Sequence, residues 1–375
     1  MSNRTAPRER RVLEGLSNGT APRERRGLGG SPERRILSVA NAIRKSRRMK
    51  MAKQVYSLSI CARATLDMHS LNNEGSEGTQ IQTRMVNVVA ADGRLYNVNA
   101  ISGDMFKHIQ AEHLYHIARN GRNLPLCAAC QVFDANRISA DQAYIAQIKG
   151  RSDAEAIDMM LKWCVLDDIE GNLITADRST PRKSVVEFGW VVGLPEVTTT
   201  ESYFHVKYAQ ERGEAARAAA AEEEARKANL GQTPFHRPAS SGIYAVVSHY
   251  EVSRIGFNDI SRRYALDEAA RLARYRALLE SVLYTFVQPK GAMRAAQLPH
   301  IVAFEGAVTY TTQVLPAPTV SPLNPEYLSD IDHVAAVLNQ LHPNAVHVAH
   351  FTTLGEFAEV MRGLIEDTKP FTVAV

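Results

Sequence analysis

The fold is decided by the stretch Ser57-Leu-Ser-Ile-Cys-Ala-Arg-Ala-Thr-Leu-Asp-Met-His69. Apolar and polar side chains alternate along its first part: Leu58, Ile60, Ala62 and Ala64 against Ser57, Ser59, Cys61, Arg63 and Thr65. Because successive side chains of a strand point to opposite faces, a period of two predicts a half-buried β-strand. The sequence therefore predicts a sheet with a covered apolar face and a polar face that carries Arg63.

Strands and helices follow in mixed order. A polar loop over 70–83 precedes a predicted β-hairpin, in which apolar runs at 85–89 and 95–100 flank Ala91-Asp-Gly93. A helix is predicted over 103–119, with Ser102 as N-cap and Asn120-Gly121 as its stop. Further along we predict strands over 185–192, 202–208, 242–255 and 345–351, a helix over 266–287, and a last helix that the capping box Thr353-Leu-Gly-Glu356 begins. This order predicts an α+β sandwich, and a four-stranded sheet of the RNA-recognition type with projections fits it.

The chain divides into a basic tail, residues 1–52, and a body, residues 53–375. The tail repeats Asn3-Arg-Thr-Ala-Pro-Arg-Glu-Arg-Arg11 as Asn18-Gly-Thr-Ala-Pro-Arg-Glu-Arg-Arg26. A repeat of 15 residues cannot build a core, so we predict that the tail is disordered. It is either a nucleic-acid arm or an upstream stretch without a role, the true start being Met49 or Met51. Residues 1–50 hold 14 Lys and Arg against 4 Asp and Glu, a balance of +10, whereas the rest holds 30 against 36, a balance of −6. Net charge therefore does not indicate that the body binds nucleic acid.

Several classes of protein are not predicted. No apolar run approaches the roughly 18–20 residues that span a bilayer, and no secretory signal is present, so we expect a cytoplasmic protein without a membrane partner. Four cysteines are too few for a disulfide framework. The glycine loops GxxxxGK[ST] and GxGxxG are absent, as is HExxH. We expect no cofactor and no catalytic residue.

The segment Ala100-Ile-Ser-Gly-Asp-Met-Phe-Lys-His108 is a candidate phosphate site. Ser102 and Gly103 begin a helix, where free N–H groups and the positive end of the helix dipole favour an anion, and Lys107 and His108 follow one turn later. The alternative is an ordinary N-cap with a solvated lysine.

The loop Ser70-Leu-Asn-Asn-Glu-Gly-Ser-Glu-Gly78, which ends near Arg84, is a second candidate, because glycine lets a ligand approach the backbone closely. It is equally consistent with a simple connection.

One CxxC motif, Cys127-Ala-Ala-Cys130, is half of a possible zinc site. His113 and His116, at i and i+3 on the preceding helix, could supply the other two ligands. A single CxxC motif is also typical of buried free cysteines, so no metal is predicted here.

The run from Ser57 to Gly75, followed by Ala100 to His108, resembles the DevR autoregulator family, the repeated backbone subunits of type I CRISPR (Cascade) complexes. Further pieces agree with the resemblance: Ser240-Ser-Gly-Ile-Tyr-Ala245, Arg254-Ile-Gly-Phe-Asn258, Gly291-Ala292 and Leu298-Pro-His300. The resemblance covers residues 55–300.

The resemblance implies a modified RNA-recognition (ferredoxin-like) fold, shaped like a hand, with a thumb-like projection around residues 203–237. It implies that copies stack along a guide CRISPR RNA, beside other subunits of the interference complex, and present the guide for pairing with a target DNA strand. The RNA-binding residues that it implies are Arg63, Asn72, Asn73, Arg84, Ser102, Gly103, Lys107, His108, Lys207, Phe235 and Arg237.

Two alternatives remain. Related subunits of type III complexes cleave RNA with an aspartate near the end of the first strand, where this chain has Asp67. An RNA-cleaving endoribonuclease of the same superfamily is therefore the main rival. A regulatory RNA-binding monomer is the other.

Overall fold

The computed structural model describes residues 52–208 and 232–374, so the basic tail and residues 209–231 lie outside the described residues. In this part of the chain the strands are β1 (Lys53–Val55), β2 (Leu58–His69), β3 (Asn73–Glu77), β4 (Gln80–Thr83), β5 (Met85–Val89), β6 (Leu95–Ile101), β7 (Asn172–Ile174), β8 (Thr180–Arg182), β9 (Val186–Phe188), β10 (Val191–Gly193), β11 (Thr199–Tyr208), β12 (Gln232–Tyr250), β13 (Phe257–Asn258), β14 (Arg263–Tyr264), β15 (His300–Thr311), β16 (Val346–Phe351) and β17 (Thr368–Pro370). The α-helices are α1 (Gly103–His116), α2 (Gln142–Ile148), α3 (Asp153–Trp163), α4 (Val165–Glu170), α5 (Glu268–Val287), α6 (Tyr327–Leu341) and α7 (Leu354–Asp367). A π-helical turn, Ile117–Gly121, extends α1.

The main sheet has the strand order β16-β15-β2-β12-β10-β6-β5. Its centre is β2, which pairs antiparallel with β12 on one side and β15 on the other. The strands β4, β9 and β11 also pair with β12, and of these only β4 runs parallel to it. The predicted α+β class with antiparallel strands is confirmed.

Three helices cover the apolar face of the sheet. The ring of Phe286 on α5 stacks on Phe304 of β15 at 4.8 Å between centroids, and Phe357 of α7 meets the same Phe304 at 5.1 Å. On α1, Gln110 donates to the Ser281 hydroxyl of α5 over 2.8 Å, so the two helices are joined by a buried hydrogen bond. Burying this many rings contributes most of the favourable free energy of such a core.

The polar face of β2 is also covered, which the sequence did not predict. The chain between β15 and α6 runs along it: the Ser57 hydroxyl donates to the Leu315 carbonyl (3.0 Å), and Ser59 shares a hydrogen bond with the Thr319 hydroxyl (2.8 Å). Residues Leu58–Ala62 are consequently buried on both faces. Hydroxyl partners make this burial possible, because a buried polar group costs little once it is hydrogen-bonded.

A helical block built from α2, α3 and α4 lies between α1 and β9 in the sequence. A buried ion cluster connects it to the core, since Asp168 on α4 pairs with Arg182 of β8 (2.9 Å) and with Arg274 of α5 (2.7 Å). The Gly256 N–H also donates to the Asp168 carboxylate (3.1 Å). Every ion of the cluster is thus paired, as buried charges must be.

Most local predictions agree with the structure, and four need correction. The hairpin over β5 and β6 and the Ser102 N-cap are confirmed. The predicted loop 70–83 contains the hairpin β3–β4, strand 185–192 is two strands divided at Gly189-Trp190, and strand 242–255 is the much longer β12. Thr353 does cap α7, but the Glu356 carboxylate accepts from the N–H of Thr352 rather than of Thr353, so the capping box is incomplete. In the described ranges, no helix combines the length and apolar composition needed to cross a bilayer.

Candidate nucleic-acid interface

The end of β2 lies against the start of α1. The Asn72 side-chain carbonyl accepts a hydrogen bond from the Ser102 N–H (2.9 Å), and the Asn72 backbone carbonyl accepts one from the Thr83 hydroxyl (3.1 Å). Beside it, the Ser70 hydroxyl donates to the Asn73 side chain over 2.7 Å. The two segments that carried the family resemblance, 70–75 and 100–108, are therefore in direct contact, and Asn72 holds them together.

Gly103 is required by a close approach of two backbones. It is buried, and a Cβ atom built on it would lie 2.4 Å from the Phe188 carbonyl oxygen of β9. Ser102 accepts from the Met105 N–H (3.2 Å), which satisfies one free donor of the first turn. Asn72 and Gly103 therefore position the helix start from inside the fold, while Ser102 and Asn73 are partly exposed.

Lys107 and His108 lie on different sides of α1. Lys107 is half-buried, and this burial lowers the pKa of its ammonium group, although the carboxylate of the buried Glu170 favours the charged form. His108 is exposed, and its ring lies 5.4 Å from that of Phe133. Of these two, His108 is thus the more accessible to a ligand.

Arg84 lies at an aromatic surface that the sequence reasoning missed. Its guanidinium group lies 5.1 Å from the centre of the Trp190 ring and forms an ion pair with Glu74. Trp190, in the turn between β9 and β10, is 43% exposed. An exposed indole with a cation over its face is a suitable platform for an unpaired base.

Within the described residues, the region that was predicted to project contains β11 and the first half of β12, which pair antiparallel from Thr199–Ser241 to Tyr208–Gln232. In this register Phe235 faces His205, and their rings stack at 5.7 Å, while Arg237 lies 4.7 Å above the Phe235 ring. Side chains directly across a ladder share a face. One face of the hairpin therefore carries Tyr203, His205, Phe235 and Arg237.

The opposite face of this hairpin carries Phe204 and His236, whose rings meet edge to face at 5.5 Å. Phe204 is 61% exposed, so its ring is accessible to a ligand. Lys207 belongs to β11 opposite Thr233, but its side chain lies outside the described residues. The sequence signal that could have found the hairpin was the aromatic and histidine pattern Tyr203-Phe-His205.

The hairpin β3–β4 contacts the β11–β12 hairpin. The His236 N–H of β12 donates to the Thr79 carbonyl (2.9 Å), and the strand pairing places Gln80 beside His236. Gln297, before β15, donates to the Pro238 carbonyl (2.9 Å). The predicted loop 70–83 and the β11–β12 hairpin, which the sequence analysis considered as separate features, thus form one continuous surface.

A cleft of about 570 Å³ lies beside α1 and is lined by Met105, His108, Glu112, Phe133 and residues 290–295. Its floor is fixed because the Ala292 N–H donates to the Leu71 carbonyl (3.0 Å). Two cations border it: Lys290 lies 3.5 Å and Arg294 3.3 Å from the Glu112 carboxylate. Burial opposes them, but together they hold the pKa of Glu112 below its ordinary value.

Two further residues named in the sequence analysis, Arg63 and Asp67, lie on β2. Arg63 donates to the Pro322 carbonyl (2.9 Å) and lies 5.3 Å from the centre of the Tyr327 ring, so its charge serves the covering segment. Asp67, near the end of β2, stands opposite His300 in the ladder.

The structure does not bring the CxxC cysteines together with His113 and His116, the pairing that the sequence left open. His113 shares a hydrogen bond with the Gln288 carbonyl (2.9 Å), and His116 faces Glu112 at 3.8 Å. In the described chain, the potential ligands near Cys127 and Cys130 are Cys164 and Asp167 instead.

These elements define an α+β protein in which an arginine- and aromatic-bearing hairpin adjoins a polar loop and a helix start. A family model described as CRISPR-associated negative auto-regulator DevR/Csa2 matches residues 60–331. The match covers well over half of the 375 residues, so the chain belongs to this CRISPR-associated family, as the sequence resemblance implied.

Solved structures show more distant likeness. A chain of a CRISPR RNA-guided surveillance complex in a pre-nicking state has 12% identity and a TM-score of 0.41, covering 85% of this chain and 96% of that one. A second CRISPR RNA-guided surveillance complex gives 13% identity, 82% and 98% coverage and a TM-score of 0.43. Csc2 of Thermofilum pendens gives 10% identity, 85% and 89% coverage and a TM-score of 0.35. No curated protein matches the chain.

Proposed function

We propose that this protein is a non-catalytic backbone subunit of a Cascade-type CRISPR complex and binds guide RNA. One observation carries the proposal: the β11–β12 hairpin carries exposed rings and the half-buried Arg237, the β3–β4 hairpin links it to the Asn72–Ser102 contact, and family membership gives that surface its context. Aromatic faces stack on any base, and guanidinium groups bind any phosphate. Such a surface suits a guide whose sequence varies.

The strand order supports an RNA-recognition type of fold. Along the chain, β2, α1, β10, β12, α5 and β15 follow the order strand, helix, strand, strand, helix, strand. In the sheet, the strands lie in the order β15-β2-β12-β10, with α1 and α5 on one face. This is the split βαβ pattern of ferredoxin-like folds. In this proposal the β11–β12 hairpin is the thumb of a hand-like subunit.

The predicted residues divide into two roles within the proposal. Arg84, Asn73, Ser102, His108, Phe235 and Arg237, together with Lys207, contact the guide, and Trp190, Tyr203, Phe204, His205 and His236 join them. Asn72 and Gly103 hold the helix start in place, because both are buried and packed against backbone. Lys107 and Arg63 contribute less, since burial lowers the pKa of Lys107 and disfavours its charge, and Arg63 is held by the Pro322 carbonyl.

Stacked copies of the protein, other subunits and a target DNA strand are the partners that follow from this proposal. Guide bases must remain free to pair with the target, so protein contacts fall mostly on phosphate and sugar. In this arrangement residues 1–52 are dispensable for the core contact, and the surveillance role is cytoplasmic.

The test compares Arg84→Ala and Arg237→Ala with Arg362→Ala, an exposed arginine of α7. Affinity for two guides of unrelated sequence is measured at several salt concentrations. We expect each interface variant to weaken both guides by a similar factor and to reduce the magnitude of the salt slope by about 0.7, one single-strand phosphate contact. Arg362→Ala should change neither. Loss of binding to only one guide would contradict the proposal.

The ribonuclease alternative rests on the position of Asp67 opposite His300. If it were correct, the protein would cut RNA complementary to the guide, and Asp67→Asn would abolish cutting while guide affinity stayed unchanged. We expect no cleavage by either protein, with or without divalent cations.

A further inference from the structure

Three thiols and one carboxylate meet inside the helical block, away from the proposed RNA surface. The Sγ atoms of Cys127, Cys130 and Cys164 and an oxygen of Asp167 all lie within 4.8 Å of one another, and all four residues are buried. The Cys127 and Cys130 sulfurs each lie 3.6 Å from Asp167 Oδ2.

The two sulfur–oxygen separations match an edge of a tetrahedral metal site, and the other separations are at most 4.8 Å. With zinc–sulfur bonds of about 2.3 Å and a zinc–oxygen bond of about 2.1 Å, tetrahedral geometry puts sulfur and oxygen about 3.6 Å apart and two sulfurs about 3.8 Å apart. The space between the four ligand atoms accommodates one ion.

The Asp167 carboxylate is oriented as a metal ligand would be. Its Oδ1 accepts from the Ile138 N–H (3.2 Å) and from the Asn172 side-chain amide (2.9 Å), which turns Oδ2 toward the thiols. The Cys130 N–H points at the Cys127 sulfur (3.3 Å), and such a donor stabilises a thiolate. Hydrogen bonds of this kind orient the side chains that bind a metal and tune their charge.

A second carboxylate fixes the two segments that carry the cysteines. Asp141 accepts from the Ala128 N–H (2.8 Å), between Cys127 and Cys130, and from the indole N–H of Trp163 (3.3 Å), next to Cys164. Its other oxygen accepts from the Tyr144 N–H at the start of α2 (3.0 Å). Asp141 therefore fixes the Cys127–Cys130 loop relative to the α3–α4 junction before any ion binds.

We propose that Cys127, Cys130, Cys164 and Asp167 bind one structural zinc ion. Thiolate-rich, four-ligand sites favour Zn²⁺ over the hard cations Mg²⁺ and Ca²⁺. With all four positions filled by buried side chains, the site has no open position for a substrate. The cysteines lose their protons when the ion binds, so binding releases protons to solvent.

The ion would also support the cleft beside α1. Cys130 begins the 3₁₀ turn Cys130–Val132, after which Phe133 adopts a left-handed backbone with φ of 56°. Phe133 contacts both His108 (5.4 Å) and Tyr115 (5.2 Å) on α1. Zinc therefore fixes the position of one wall of the cleft.

The test begins with the zinc content of the intact protein, purified under reducing conditions without added metal. We expect about one zinc per chain, and an equal amount of Co²⁺ taken up by the reduced, metal-free protein, with the visible absorption of a tetrahedral thiolate site. A strong zinc chelator should lower the melting temperature by several degrees, and added Zn²⁺ should restore it.

Cys61→Ser is the matched control, because Cys61 is an equally buried free cysteine on β2. It should keep one zinc per chain and the full response to the chelator. Cys127→Ser and the milder Asp167→Asn should lose at least tenfold in zinc affinity. The proposal fails if the unmodified protein neither contains zinc nor takes up Zn²⁺ or Co²⁺ once reduced, or if Cys127 and Cys130 are isolated as a disulfide that does not bind zinc after reduction.

Discussion

His69 is a histidine that the fold keeps uncharged. It is 1% exposed, its Nδ1 faces the Leu71 N–H (3.5 Å), and its ring packs edge-on against Tyr244 at 5.0 Å. Burial lowers the pKa of His69 to about 4. The side chain lies where β2 ends and the candidate interface begins, so its protonation would disturb both.

The first prediction concerns pH. Between pH 6.5 and 4 the unfolded chain binds a proton at His69 and the folded chain does not, so the free energy of unfolding should fall as pH drops through this window. The neutral, buried His69 contributes at most about 3 kcal/mol to the dependence of the free energy of unfolding on pH, and this contribution is fully lost below pH 4. His69→Asn, which keeps an acceptor near Nδ1, should flatten this part of the pH profile in urea unfolding. His333→Gln, at an exposed histidine, should leave it unchanged.

The second prediction concerns the buried ion cluster. Asp168→Asn removes the negative charge between Arg182 and Arg274, whose side chains are 0% and 2% exposed. An uncompensated buried charge costs about 3–5 kcal/mol, so the midpoint of urea unfolding should drop sharply. Glu359→Gln breaks an exposed pair with Arg362 and should cost at most about 1 kcal/mol. Equal losses in the free energy of unfolding for the two variants would show that the buried cluster contributes no more to stability than an exposed ion pair.

At the scale of elements, the β11–β12 hairpin has two chemically different faces. The Phe235 face combines rings with Arg237, whereas the Phe204 face combines a ring with His236. A cation beside a ring can neutralise a phosphate while the ring stacks on the attached base. We therefore expect the Phe235 face to hold the guide more strongly.

The third prediction follows from this difference. Phe235→Ala should weaken guide affinity by about 1–3 kcal/mol, the value of one stacked base, in a titration followed by fluorescence anisotropy. Phe204→Ala, on the opposite face of the same hairpin, is the matched control and should cost less than half as much. The reverse order would place the guide on the other face.

Local signals explain which elements could be predicted. Ser102 and the Ala91-Asp-Gly93 turn identify their elements through residues a few positions apart, and both are confirmed. The β3–β4 hairpin could not be predicted, because the strand that supports it, β12, comes about 150 residues later. The partners of Cys127 were missed for the same reason, since Asp167 follows 40 residues later, on α4.

The sequence predicted many of the residues of the candidate site, but not how they are arranged in space. The resemblance assigned Asn72, Ser102 and Arg84 to one function, and the structure brings Asn72 and Ser102 into contact. The resemblance could not separate buried positioning residues such as Gly103 from accessible ones, because the burial of Gly103 depends on its packing against β9. Trp190 carried no sequence signal, since only the turn at Gly189-Trp190 exposes its ring.

At the scale of the whole molecule, our fourth prediction concerns guide length. If copies stack along the guide, each copy repeats the same contact, so the loss caused by Arg237→Ala should accumulate with the number of copies bound. The ratio of variant to unmodified affinity should therefore be larger on a long guide than on one truncated to a single binding site. A ratio that is independent of guide length would contradict stacking and favour a regulatory monomer.

The length of β12 has a mechanical consequence. Its 19 residues form a beam of about 60 Å, anchored beside β2 at one end and carrying the aromatic hairpin at the other. The beam is interrupted once, at the bulge between Ser240 and Gly242, where Gly242 has φ of 155° and its missing Cβ leaves room for Thr198. A bulge bends and twists a strand, so the direction of the hairpin relative to the core is set at this point. If copies stack along RNA as proposed, the angle at this bulge would set the pitch at which successive copies advance.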